Sequence, residues 1–409
     1  MRYFACCLVF FATAAFGADR WPEFRGPHGD GRGETTQAPI TWSETEHVVW
    51  KTPIRGKAWS SPVVWDSQIW VTTAPTDGKE LFAICLDKAT GKVLHDRKVF
   101  EISKPQYCIE QNSYASSTPA IEAGRIYVHY GAHGTACLDT KTARTLWQRQ
   151  DLECNHHRGP ASSPILYDGM LILTFDGFDV QYVVALDKNT GETIWRTDRG
   201  LNYKSDNGDI KKAYSTPAVF EIDGIKQLVS PSAQSAVAYE PKTGKELWRV
   251  ECGGMNVPSR PIFGNGLLYL TTADGGLKLF ALKPEGRGDL SENIEWKQAK
   301  GAPRYNSPIL VDDLIYSCND QGIIAAIEAK TGDVVWQKRI RGGIFNASPV
   351  YAAGKLYFCS EDGQTVVLAP GSEFQELAIN KLDDGFMASP AVIDGALILR
   401  TKSALYRVE

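Results

Sequence analysis

Short apolar runs alternate with tight polar clusters along nearly the whole chain. Residues 182–195, YVVALDKNTGETIW, show the unit. Val183, Val184, Ala185 and Leu186 suit a half-buried strand, Asp187 to Gly191 is a polar cluster ending in Gly, and a second segment closes on Trp195. That order predicts a β-hairpin. The hairpin recurs. Cys137-Leu138-Asp139 leads through Thr142 to Trp147, Ala238-Tyr239-Glu240 through Thr243-Gly244 to Trp248, and Ala326-Ile327-Glu328 through Thr331-Gly332 to Trp336. In these copies the Trp follows the Thr by five residues. A fifth copy, with Thr90-Gly91, carries His95 at the Trp position; a sixth is interrupted by an insertion before Trp296; residues 367–377 are the most worn.

A second signature precedes each hairpin, a residue and then Pro opening an apolar strand. It stands at Ser61-Pro62, Thr118-Pro119, Ser163-Pro164, Thr216-Pro217, Arg260-Pro261, Ser307-Pro308, Ser348-Pro349 and Ser389-Pro390, spaced 41 to 57 residues apart. One more strand fits between each Pro strand and its hairpin, so each period holds four strands. A repeat of this length built of short strands predicts a β-propeller. The last repeat stops after three strands, at residues 405–408, and the missing Trp-ended strand is found near the N-terminus at 47–51, HVVWK. The expected fold is therefore all-β: an eight-bladed β-propeller of four-stranded antiparallel blades. An N-terminal strand completes the last blade and leaves no open edge in the ring.

Residues 1–17 read as a secretory signal peptide, with Arg2, an apolar run over 4–16 and a small-x-small cleavage pattern ending at Gly17. Cys6 and Cys7 lie too early for a lipid anchor. A periplasmic or secreted protein is expected, without a transmembrane span. Residues 18–41, including WPEFRGPHGDGRG, read as an irregular strap across the ring, and 42–409 as one propeller domain. A net charge of −4 with no basic stripe argues against nucleic acid and anionic membrane. Seven Cys follow the signal segment, an odd count that forbids complete internal pairing. Cys85 and Cys137 replace the Ala of other copies and read as small buried residues. Cys108 and Cys154 lie in loops of adjacent blades, where a disulfide is open as an expectation in an oxidising compartment.

In a propeller the loops leading into the inner strands gather at one mouth of the channel. There the sequence places Trp59, Tyr114, Arg158, Tyr214, Arg304, Tyr305, Phe345 and Phe386, either as an aromatic and arginine ring for a flat anionic ligand or as packing that plugs the channel. The densest polar run is Cys154-Asn155-His156-His157-Arg158, near His129 and His133. It lacks metal-ligand spacing, and hydrogen bonding within its loop is expected over a metal site, while His156 and His157 join Arg158 among the candidate ligand- or partner-binding residues at the mouth. Asp176-Gly177, Asp274-Gly275 and Asp362-Gly363 recur at a fixed offset and read as turns. No catalytic residue is assigned.

The segments ALDKNTGETIW, AIEAKTGDVVW and AYEPKTGKELW, with strand openers of the ASSP type, resemble the repeat of the pyrroloquinoline-quinone (PQQ) propeller family over about residues 42–409. Two branches of that superfamily bear on function. Quinoprotein dehydrogenases hold PQQ with calcium against a vicinal Cys-Cys disulfide, which has no counterpart after the signal segment here. The outer-membrane β-barrel assembly propeller is a scaffold without chemistry, and the sparse loops of this chain resemble it. The resemblance thus implies an extracytoplasmic binding or scaffold module with a protein partner in the cell envelope or a small ligand at the mouth. A PQQ-dependent dehydrogenase of alcohols or sugars is the alternative.

Overall fold

A computed structural model describes residues 20–409. The signal peptide assignment lies outside the described residues. Eight sheets make one ring. Blade 1 has strands Val63–Trp65, Gln68–Thr73, Glu80–Asp87 and Val93–Glu101, running from the channel outward. Blades 2 to 7 repeat this plan over 120–149, 165–198, 218–251, 262–298, 309–339 and 350–381. Blade 8 takes Ala391–Ile393, Ala396–Arg400 and Ala404–Val408 from the C-terminus and Val48–Pro53 from the N-terminus. The N-terminal strand lies antiparallel to Ala404–Val408, as the strand count requires. Among the described residues helix is confined to two short 3-10 turns, Gly208–Lys211 and Ser291–Asn293.

The repeat motif is a latch between neighbouring blades. Four Trp residues point their indole N–H at a backbone carbonyl in the next blade's hairpin: Trp50 to Lys88 (3.0 Å), Trp147 to Lys188 (2.9 Å), Trp195 to Pro241 (3.0 Å) and Trp296 to Ala329 (3.0 Å); Trp248 departs, donating to the Gln227 side chain of its own blade (2.6 Å). At all four interfaces the Gly of the receiving hairpin lies under the indole. A Cβ added at Gly91, Gly191, Gly244 or Gly332 would sit 2.4–2.7 Å from ring atoms. These glycines also have positive φ, so two separate constraints exclude a side chain. The defective copies obey the same rule. Blade 1 has His95 for Trp, and the hairpin it faces in blade 2 has Ala143 for Gly. With no indole to admit, that position tolerates a Cβ, although Ala143 keeps the left-handed φ of 54°.

The Ser/Thr-Pro signature builds a second ring, around the channel. The amide of Ser61 donates to the Thr118 hydroxyl (2.9 Å), Thr118 to Ser163 (3.0 Å), and Ser163 to Thr216 (3.0 Å). Beyond blade 5, Arg260 donates to Ser307, Ser307 to Ser348, and Ser348 to Ser389 (each 2.9 Å), and Ser389 returns to Ser61 (3.2 Å). A hydroxyl is required because the position must supply an acceptor to one neighbour while its own amide donates to the other. One position breaks the belt, Arg260.

The strap explains the exception. Trp21 pairs with Val64 of blade 1, and Pro22 accepts from Ile121 of blade 2. Arg260 of blade 5 then holds the Glu23 carboxylate (2.6 Å) and the Phe24 carbonyl. Arg25, 1% exposed, donates to the carbonyls of Asp30, Ser307, Pro308 and Pro349. Arg32–Gly33 runs parallel to Val350–Ala352 of blade 7, and Gly33 lies against Val392 of blade 8. These contacts fall on the belt itself, at Arg260 and Ser307, and on the inner strands just after it. The strap therefore closes the channel on one side and leaves the mouth open on the other.

Candidate functional site

The open end is a cup of about 440 Å³. Six belt residues, Ser61, Thr118, Ser163, Thr216, Ser348 and Ser389, form its wall, and Phe24 of the strap lines it from below. Of the mouth residues read from sequence, Trp59, Arg158, Tyr214 and Tyr305 line the cup. The others are placed elsewhere. Phe345 and Phe386 are fully buried in the cores of the last blades, Phe345 edge-on to Phe358. Tyr114 donates to the Gln106 carbonyl (2.7 Å) and packs edge-on to His133. Arg304 is outside the cup lining, partly exposed and bonded to Asp274 (2.8 Å) and Asp320 (3.1 Å).

The buried histidine of the run ties its loop to blade 2 rather than bonding within that loop as the sequence reading expected. His156 is buried, and its Nε2 accepts from the Ala132 amide (3.0 Å), which fixes the tautomer. Its Nδ1 faces the Cys154 thiol at 3.8 Å. His133 Nε2 accepts from the Gln106 amide (3.1 Å), and His129 Nδ1 meets the Thr135 hydroxyl (2.8 Å). Burial pushes His129 down to about 3 and His156 to about 4, so both are neutral at pH 7. His157 lies between Phe178 and Tyr107. Among the described residues no three His, Cys, Asp or Glu side chains gather as a metal would need.

The expected Cys108–Cys154 disulfide is not formed. Both thiols are free: Cys108 turns to the Arg158 carbonyl (3.6 Å), while Cys154 is buried against His156. Each sulfur fills a space kept open by a glycine, Gly159 for Cys108 and Gly177 for Cys154.

Among the polar residues of the cup, Asn256, Asn346 and Glu361 were not singled out by the sequence, and Asp274 was read only as a turn. Asp274 accepts from the Asn256 amide (3.1 Å), and the two loops are pinned by paired backbone bonds between Met255 and Asp274. Glu361 accepts from Asn346 (2.7 Å), with its loop tied to the Ile344 carbonyl (2.8 Å). Gly275 and Gly363 do adopt the positive φ of a turn, but the aspartates before the glycines do more than turn. Asp274 carries the Arg304 ion pair, and Asp176 a fully buried pair with Arg199 (2.5 and 2.7 Å). Burial raises the Asp176 carboxyl, opposed by the guanidinium. The signal that would have found these residues is the extra Asn in the leading loops of blades 5 and 7 and the Glu between the second and third strands of blade 7, where the repeat itself demands nothing.

PQQ with calcium would need several oxygens converging on one cation. In the cup Asp274 is already engaged by a guanidinium and an amide, and Glu361 stands two blades away. A guanidinium beside the carboxylate opposes a second cation. The residues do not fit that group.

Ring, belt and hairpin latch together define a PQQ-repeat propeller with a closed floor. The family model described as outer membrane protein assembly factor BamB matches residues 40–197 and 179–408, and the chain belongs to that family. It is 24% identical over 283 residues to quinohemoprotein alcohol dehydrogenase ADH-IIG of Pseudomonas putida, covering 62% of this chain and 36% of the relative. With BamB of Moranella endobia it shares 24% over 198 residues, 46% of this chain and 49% of the relative. The matches thus span half or less of these curated relatives. BamB from Moraxella catarrhalis superposes with a TM-score of 0.61 over 88% of this chain and 99% of that one, at 13% identity, a likeness of fold.

Proposed function

We propose that the protein is an extracytoplasmic scaffold that binds a protein partner in the cell envelope and performs no chemistry of its own. One observation carries this reading: the groups best suited to catalysis are spent on holding loops. The buried histidines accept hydrogen bonds from neighbouring loops, His156 from Ala132 and His133 from Gln106, and Asp176 and Asp274 are ion-paired. Family membership supports a place in outer-membrane protein assembly.

The outer strands offer the docking edge. Val49, Leu146, Ile194, Val335, Leu377 and Ile379 are exposed there on strands with an unpaired side, the arrangement that accepts an added strand. Affinity capture from an envelope fraction should recover a partner, and Ile379→Lys, on the outer strand of blade 7, should weaken it. Capture no better than with an unrelated propeller would defeat the proposal.

A second reading, a PQQ-dependent dehydrogenase, draws on the alignment with ADH-IIG. Titration of the purified protein with PQQ, with and without calcium, separates the two. Saturable micromolar binding favours the dehydrogenase.

A further inference from the structure

The cup is electrically polarised. On the side of blades 3 and 4, Arg158 bonds Asp209 at 3.0 Å, and the buried Lys212 ion-pairs with the same carboxylate. Two cations share one anion there, and a guanidinium with five donors has spent one on the carboxylate. Across the channel, the Glu361 carboxylate of blade 7 meets the neutral amide of Asn346, and Lys402 reaches the Glu361 backbone carbonyl rather than its carboxylate. Blades 3 and 7 are four apart in a ring of eight, so these walls oppose one another. The carbonyl oxygens of Asn256 and Asn346, whose amide nitrogens are turned to carboxylates, have no partner; Asn346 stands beside Glu361, while Asn256 lies between the two walls, its backbone N–H bonded to the Lys212 carbonyl. Asn256 is only 8% exposed. One wall therefore offers donors and positive charge, the other acceptors and negative charge. Trp59, Tyr305 and Phe24 supply apolar surface between them.

We infer that the cup is a binding site for a short zwitterionic peptide, with its free carboxylate on Arg158 and its free ammonium toward Glu361. A neutral sugar would leave both charges unanswered. A dianionic ligand would set its second charge against Glu361. The cup's volume suits a ligand of a few residues. This site is separate from the outer-strand edge where the scaffold reading puts the envelope partner, so failure here leaves that reading untouched.

The test is calorimetric titration of the protein with the tripeptide Ala-Phe-Ala, followed in parallel by Trp fluorescence. Its N-acetylated and C-amidated forms and maltotriose serve as comparison ligands. The free-ended peptide should bind saturably, and capping either end should weaken binding about tenfold or more, the scale of one charge-assisted hydrogen bond. Arg158→Gln should abolish the penalty of C-amidation and leave that of acetylation. Glu361→Gln should do the reverse. Both positions are part-exposed and Gln preserves their bulk, and a thermal melt checks the fold. No saturation at millimolar peptide, equal affinity for capped and free forms, or a preference for maltotriose would each overturn the proposal.

Discussion

Arg260 of blade 5 holds Glu23 of the strap through a 2.6 Å ion pair, at the one place where the belt of hydroxyls around the channel is broken. The two departures explain each other. Seven blades use Ser or Thr to link to a neighbour, and the eighth gives up that link to fasten the floor.

Glu23→Ala should therefore cost about 3–5 kcal/mol, because it leaves Arg260 buried without its counter-charge. Limited proteolysis should then cut within residues 20–41. Glu23→Gln combined with Arg260→Ser should recover much of the stability, since a Ser hydroxyl restores an acceptor for the blade 4 amide. If the double variant melts no higher than Glu23→Ala, the belt argument fails.

The latch makes opposite predictions at equivalent positions. Gly191→Ala places a Cβ 2.7 Å from the Trp147 ring at a φ of 77°, and should destabilise by about 2–4 kcal/mol. Ala143→Gly faces no indole and relieves a left-handed φ, so it should stabilise by about 1 kcal/mol. Denaturant melts of the two variants measure both signs.

Acid should destabilise the protein in a defined window. Unfolded histidines take up protons near pH 6.5, whereas burial holds His129 at about 3 and His156 at about 4. Their contribution is complete above pH 6.5 and is lost as pH falls from there toward 4, where the unfolded state binds protons that the native state does not. Burial raises the Glu23 carboxyl, first against its Arg260 pair, and this opposes the loss lower in the window. His156→Gln keeps an acceptor for Ala132 and should reduce the slope of stability with pH by roughly half. An unchanged slope would remove His156 from the account.

Thiol titration checks the cysteines. Protein comprising residues 20–409, denatured without reductant, should release seven thiols; a Cys108–Cys154 bridge would leave five. In the native state both should react slowly, because burial raises Cys108 to about 11 and holds Cys154 well above the ordinary thiol range.

The chain's own pattern determined the blades. Alternation of period two fixes which residues of a strand face inward, Gly and Pro mark where strands end, and a motif repeated at near-constant spacing counts the copies. Because closing a ring needs only that count, the marriage of residues 48–53 to 404–408 was legible too. The mouth was not. Phe345 and Tyr305 read alike in sequence, yet one packs in the core and the other stands 44% exposed at the cup. Loop side chains are aimed by partners hundreds of residues away, as Arg25 is by Pro349 and Glu23 by Arg260, and no local periodicity records such pairings. The strap as floor, the free thiols and the polarised cup were decided only when the ring closed and brought those partners together.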